Sequence, residues 1–251
     1  MSSAKSTSRP ATVTPDERQQ QAIDHVDGPM LVVAGAGTGK TTVLTRRIAR
    51  LIREGQARPN ELLALTYTDN AAREMRERVQ ARLRGTDVSA LRATTFHAYC
   101  MDLLKANGKA FGVLDDKDLW IYLRKRLRDL HLNYFIRAAN VSQFLDDLLD
   151  FIRRCHDELV TPEKYAAYVQ RLERKELPIP RVIKSKDAAS LTDEEVLGRC
   201  QEIASVFATV EQMLTEQNLG TFSHMITRAH ELLHADSALL ASERERARYS
   251  G

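Results

Sequence analysis

One stretch constrains the fold of this chain more than any other: Leu31-Val32-Val33-Ala34-Gly35-Ala36-Gly37-Thr38-Gly39-Lys40-Thr41-Thr42. Three consecutive branched apolar residues predict a buried strand. A glycine-rich turn follows, and Val43, Leu44, Ile48 and Leu51 then recur at helical spacing. Strand, glycine loop, Gly-Lys-Thr and helix in this order spell a phosphate-binding loop. Glycines let successive backbone N–H groups turn inward onto phosphates, and the helix N-terminus adds its positive dipole end. Lys40 would reach the β- and γ-phosphates, and the Thr41 hydroxyl would ligate Mg²⁺. The usual first glycine of G-x-x-x-x-G-K-S/T is Ala34 here. An ordinary strand–turn–helix can be glycine-rich, but it has no need of Gly-Lys-Thr in register with both flanking elements. A nucleoside triphosphate is the expected ligand.

Bulk composition narrows the class without naming a partner. A length of 251 residues suits one large domain or two modest ones. The net charge of +3 is too mild to announce nucleic acid unless the charges cluster. Cys100, Cys155 and Cys200 are odd in number and widely spaced, with no C-x-x-C pair. That argues against a disulfide framework or a zinc site and for a reducing, cytoplasmic setting. No apolar run approaches membrane-spanning length. Residues 1–12 are rich in Ser, Thr and Lys without an apolar stretch, which predicts a disordered lead-in rather than a secretory signal.

After the lead-in, Thr14-Pro15-Asp16-Glu17 predicts a helix start, with Thr14 as N-cap, Pro15 at the first helical position and Glu17 closing a capping box. Gln19, Gln20 and Gln21 ride on that helix, which ends at Asp27-Gly28-Pro29. An amide just upstream of a phosphate loop can face a purine edge, although a solvated glutamine-rich face is the simpler reading of these residues alone. The helix after the loop carries Arg46, Arg47, Arg50 and Arg53 and breaks at Gly55. Glu61 to Tyr67 predicts a short buried parallel strand. Thr68-Asp69-Asn70 then caps a helix in which Ala72, Met75, Val79 and Leu83 keep helical spacing among five arginines, with Glu74 and Glu77 balancing part of the charge. Leu91 to His97 is a third candidate strand, and a helix runs on through Leu104. This alternation predicts an α/β parallel sheet flanked by helices, with ligands beyond the carboxyl ends of the strands. Thr66 to Asn70 and Thr94 to His97 therefore belong to one rim with the phosphate loop.

The texture changes after Gly108 to Gly112. Helical periods fill Lys117–Leu130, Val141–His156, Pro162–Arg174 and Asp193–Gln217, with Phe144, Leu145, Leu148, Leu149 and Ile152 as one apolar stripe. Such a segment can bury its own core, so an inserted all-α domain is expected. Basic clusters punctuate it at Arg124 to Arg128, Arg153-Arg154, Arg171 to Lys175 and Arg181 to Lys186, as duplex DNA contacts or solvated helix faces. Thr221-Phe222-Ser223-His224 opens a last helix through Leu233, and a charged stretch from Glu243 to Arg248 follows.

Several of these stretches together resemble the UvrD/Rep/PcrA group of superfamily 1 DNA helicases. Ala34 to Thr41 is similar to that family's first motif, with alanine at the same place. Gln19 resembles its adenine-selecting glutamine. Leu65 to Val79 is similar to the family's motif Ia, with Tyr67 where phenylalanine is common and Asp69-Asn70 where Asn-Lys is frequent. Thr94-Thr95-Phe96-His97-Ala98 resembles motif Ib. The resemblance implies ATP and Mg²⁺ as cofactors. Gln19 would serve the adenine, the backbone from Ala34 through Gly35, Ala36, Gly37, Thr38 and Gly39 to Thr42 would cradle the phosphates, and Lys40 and Thr41 would be catalytic. Thr66, Tyr67, Asn70, Thr95, Phe96 and His97 would hold single-stranded DNA. An aromatic on a ligand rim offers a stacking face to any base, worth about 1–3 kcal/mol, and it can equally pack in a core.

The implied layout is a RecA-like P-loop motor domain over 13–110, the helical insertion over 111–219 and a return to the motor over 220–251. The family's closing Asp-Phe-rich signature is represented only by Thr221-Phe222-Ser223-His224. Its Asp-Glu-x-x-Asp strand and second motor domain are not found, so the chain is expected to be the N-terminal part of a longer ATP-dependent helicase. By resemblance that enzyme runs 3′ to 5′ in repair, replication or recombination, acts on single-stranded DNA and duplex junctions, and has no membrane partner. Alone, this part should hydrolyse ATP poorly. The alternatives are a non-catalytic nucleic-acid-binding or docking module on a degenerate helicase domain, and a small-molecule P-loop kinase with a helical lid.

Overall fold

Short apolar runs become the parallel sheet. Leu62–Thr66 (β1) is its central strand, with Leu62, Leu63, Ala64 and Thr66 all buried, as a strand covered on both faces requires. Arg92–Thr95 (β2) and Tyr249–Ser250 (β5) flank it, both parallel to it, in the order β2-β1-β5. The computed structural model describes residues 14–135, 141–180 and 191–250. The lead-in over 1–12 and the cluster Arg181 to Lys186 lie outside the described residues.

The described residues fall into two compact units. One holds those up to Phe96 and those from Ser237; the other is His97–Asp236. In the first, Glu17–Asp24 (α1), Lys40–Arg53 (α2) and Asp69–Arg82 (α3) accompany the sheet. Ile48 and Leu51 of α2 and Met75 and Val79 of α3 form one core with Leu62, Ala64 and Ala93. Arg47 Nη1 donates to the carbonyls of Ala22 (3.3 Å) and His25, and Arg50 Nη1 to that of Ile23 (3.1 Å). Two arginines of α2 thus satisfy the orphan carbonyls at the C-terminus of α1. Burial and then the charge of Arg50 lower the Arg47 guanidinium from its ordinary value.

Ser237–Arg246 (α10) leads into β5. Sequence texture showed only a charged stretch there. Its buried Glu243 meets Arg92 Nη1 at 3.3 Å and also pairs with Arg246. Glu243→Gln is expected to lower the stability of this unit by about 1–2 kcal/mol, because a charge-assisted bond at a half-buried arginine becomes a neutral one. The midpoint of chemical denaturation measures it, and an unchanged midpoint would remove Glu243 as the anchor of α10.

In the second unit, α4 (Phe96–Ala106, its first residue belonging to the other unit), α5 (Asp116–Lys125), α6 (Val141–Asp157), α7 (Pro162–Glu173), α8 (Asp193–Glu216) and α9 (Phe222–Ala235) are joined by one small ladder. Gly112–Val113 (β3) pairs in parallel with Leu219–Gly220 (β4), so the two ends of the helical segment meet. Leu123, Leu145, Leu148, Ile152, Phe207, Val210 and Leu214 form its core. Of the expected stripe on α6, Phe144, Leu145, Leu148 and Ile152 are buried and Leu149 is half-buried. The structure is mixed α/β with a parallel sheet and many helices.

Two local expectations are corrected. Leu31-Val32-Val33 is not a strand: it has no ladder, and Leu31 and Val33 are 88% and 87% exposed. A buried strand needs a hydrogen-bonding edge, and β5 adds only two residues to the sheet. A cavity of about 620 Å³ lies between this segment and β5, lined by Met30, Val32, Val43, Leu44 and Tyr249. The cap of α1 is Asp16, not Thr14. Its carboxylate accepts the Gln19 N–H (2.8 Å), and Gln19 Oε1 accepts the Asp16 N–H (3.2 Å). Aspartate caps at least as well as threonine, and here the glutamine three residues on completes the box.

Candidate nucleotide and single-strand site

The phosphate loop forms without a preceding strand because its geometry is local. Gly37 and Gly39 take φ of +77° and +85°, a region costly for residues with a Cβ, and Gly39 is the N-cap of α2. Val43 N–H bonds back to the Gly39 carbonyl at 3.0 Å and starts the helix. Thr38 Oγ1 donates to the Gly35 carbonyl at 2.8 Å, closing the turn on itself. The Lys40 ammonium donates to the carbonyls of Ala34 (2.9 Å) and Gly35 (2.6 Å). An exposed cation, a helix N-terminus and exposed Ala36 and Thr41 form a donor set suited to a polyphosphate. Thr42 is half-buried just inside the helix.

Gln19 reaches this loop from α1. Its Nε2 donates to the Thr38 carbonyl at 3.1 Å while its Oε1 serves the cap. Both ends of the amide are therefore engaged, and the residue joins α1 to the loop. Sequence reasoning missed this coupling and the Arg47–Arg50 clamp at the other end of α1. The spacing Asp16–Gln19 was a readable signal for the first; the second is a contact between helices and left none.

Strand register builds the rim. Thr66 pairs with Thr95 across β1 and β2, so the next residues, Tyr67 and Phe96, emerge side by side. Their rings lie 5.6 Å apart at 45°, with Tyr67 91% and Phe96 39% exposed. Neither ring is core. Thr66 and Thr95 themselves are buried, and Thr66 Oγ1 donates to the Thr68 carbonyl at 3.0 Å. Asn70 is exposed, with Oδ1 accepting from Arg73 Nη2 at 2.9 Å. His97 belongs to the second unit, where its ring stands edge-on to Phe222 at 5.7 Å. Charges on α3 are partly internal: Arg78 pairs with Glu74, and Arg76 Nη1 donates to the Ala93 carbonyl at 2.6 Å. In the second unit, Arg153 and Arg154 both pair with Asp150, and Arg171 with Glu176.

Known proteins bear on this arrangement. A family model described as the UvrD/REP helicase N-terminal domain matches residues 16–250. The chain is 33% identical over 175 residues to the ATP-dependent DNA helicase PcrA of Leuconostoc citreum, covering 63% of this chain and 23% of that protein. It is 36% identical over 155 residues to PcrA of Bacillus subtilis, and likewise 36% over 155 residues to the ATP-dependent DNA helicase Rep of Escherichia coli. Those matches cover 59% of this chain and 20% and 22% of the two proteins. The chain thus spans about a fifth of the length of these relatives.

Proposed function

As the chain belongs to the UvrD/REP helicase N-terminal domain family, we propose that it is the ATP-binding and single-stranded-DNA-binding part of an ATP-dependent DNA helicase. The enzyme translocates 3′ to 5′ and works at duplex junctions in DNA repair, replication or recombination. Residues 13–110 and 220–251 serve as a RecA-like motor domain, and 111–219 as an inserted all-α domain. The β3–β4 ladder joins the chain at both of those boundaries, while α9 and all of α4 but its first residue fall in the same compact unit as the helical segment.

Lys40 would hold the phosphates and the Thr41 hydroxyl would hold Mg²⁺, with the loop backbone from Ala34 to Thr42 around them; the ion would supply neutralisation of phosphate charge. Gln19 turns its amide to the adenine by exchanging its bond to the Thr38 carbonyl. Tyr67 and Phe96 stack on bases; Asn70 and His97 add polar contacts, and the buried Thr66 and Thr95 fix the rim. Among the described residues no helix is long and apolar enough to cross a membrane. By itself the chain is expected to turn ATP over slowly, because its sequence holds no Asp-Glu-x-x-Asp run to place water.

The observation that carries this reading is the exposed aromatic pair set by the Thr66–Thr95 register. Anisotropy of a labelled oligothymidine tests it. Tyr67→Ala is expected to weaken binding by about 1–3 kcal/mol, roughly 5- to 150-fold, with the salt slope unchanged, because stacking and not phosphate pairing is lost. The fold should survive, since the ring is solvated. Wild-type affinity in a folded Tyr67→Ala would move the strand elsewhere.

A further inference from the structure

Away from that site, three helices of the second unit bring together residues widely separated in sequence: His156 on α6, Glu211 on α8 and His224 on α9. Their nearest nitrogen and oxygen atoms all lie within 4.8 Å of one another. His224 Nε2 stands 2.9 Å from Glu211 Oε2, and His156 Nε2 stands 3.2 Å from Oε1. The two imidazoles are 4.4 Å apart, centre to centre, at 68°. Both histidines are buried, and Glu211 is half-buried.

We propose that His156, Glu211 and His224 form a binding site for a zinc-class divalent transition-metal ion. Two imidazole nitrogens and one carboxylate oxygen are a donor set that selects such ions over Mg²⁺ or Ca²⁺. Ligands about 2.0–2.2 Å from a tetrahedral ion stand roughly 3.3 Å from each other; each imidazole nitrogen is 2.9 or 3.2 Å from one of the two Glu211 oxygens, and the three donors lie within 4.8 Å of one another. Glu211 Oε1 is buried and accepts no aligned hydrogen bond, although His156 Nε2 is near it, so one lone pair is uncommitted. Behind His224, Nδ1 lies 2.9 Å from Thr221 Oγ1, an outer partner that can accept an Nδ1–H hydrogen bond once Nε2 turns its lone pair to the metal. In exchange, the Thr221 backbone N–H gives up the Nδ1 acceptor it holds at 3.0 Å.

The neighbouring Arg228 turns its guanidinium to the Leu219 carbonyl (3.0 Å) and the Phe111 ring. The ion would cross-link α6, α8 and α9. It also gives a role to the Thr221-Phe222-Ser223-His224 stretch, whose histidine has no part in the nucleotide or strand site.

The test is calorimetric titration of chelator-stripped protein with Zn²⁺ alone, repeated with Co²⁺ for its visible absorption. One equivalent is expected, with Kd of about 1 μM or tighter. His156→Gln and Glu211→Gln, close to the originals in shape and checked for fold by circular dichroism, should each weaken binding at least about tenfold. His230→Gln is the control, because His230 and His234 form an exposed pair on the same helix as His224, their rings 4.2 Å apart. Absence of a stoichiometric site in the wild-type chain overturns the proposal. So does binding that His230→Gln abolishes and Glu211→Gln leaves intact.

Discussion

Replacing Lys40 with alanine is expected to weaken ATP binding by this chain about 10- to 150-fold, the equivalent of one lost charge-assisted contact at about 1.5–3 kcal/mol. The ammonium now bridges the carbonyls of Ala34 and Gly35, so it already occupies the concavity of the loop. It needs only to exchange neutral carbonyl oxygens for charged phosphate oxygens. The backbone around it is held by other means: the positive φ of Gly37 and Gly39, the Thr38–Gly35 bond and the Gln19 tether. Alanine is also the strongest helix former, so the first turn of α2 should persist. The loss is therefore in affinity and not in fold. Titration with a fluorescent ATP analogue in Mg²⁺ measures it, with the circular dichroism spectrum as control. If a folded Lys40→Ala binds as wild type, the loop is not the triphosphate site. In the helicase proposed above, the same change should abolish DNA-stimulated ATP hydrolysis.

Glu202→Ala is expected to destabilise the second unit by about 3 kcal/mol. Glu202 is a buried carboxylate on α8 that accepts three backbone N–H bonds from one short loop: Asn133 at 2.9 Å, Tyr134 at 2.7 Å and Phe135 at 3.2 Å. These bonds hold the Phe135 ring stacked on Phe144 of α6, centroids 4.9 Å apart. Alanine removes all three acceptors at once and leaves donors without partners, each costing about 1–3 kcal/mol where water cannot reach. Partial access to solvent keeps the sum near the lower end of that range. Glu202→Gln, which keeps one acceptor oxygen, should lose about half as much. Chemical denaturation of the two variants gives the ordering, and equal stability of Glu202→Ala and wild type would mean that the loop is held by its aromatic packing alone.

Legibility followed the range of the forces involved. Helices of the second unit were read to within a few residues because their caps are local. Asp115, Thr161 and Thr192 each accept the N–H three residues on. One end was misjudged: α5 stops at Lys125, and the rest of the expected helix to Leu130 is a 3-10 turn. The phosphate loop was legible for the same reason, since glycine φ and the helix N-terminus need no distant partner. Leu31-Val32-Val33 misled because a strand is a relation between two edges, and apolar spelling specifies only one of them.

By itself the sequence determined the local elements: a phosphate loop followed by a helix, two short apolar strands ending in aromatics, and a helical segment with its own apolar stripes. Tertiary structure decided which side chains are free to act. The Thr66–Thr95 register buries two hydroxyls and presents two rings, although all four residues looked alike as rim candidates. The fold of α1 against the loop occupies both ends of the Gln19 amide. Packing of α6, α8 and α9 joins His156, Glu211 and His224, which no spacing could announce. Backbone preference acts over a few residues and can be read along the chain; burial and convergence depend on contacts that exist only once distant segments have met.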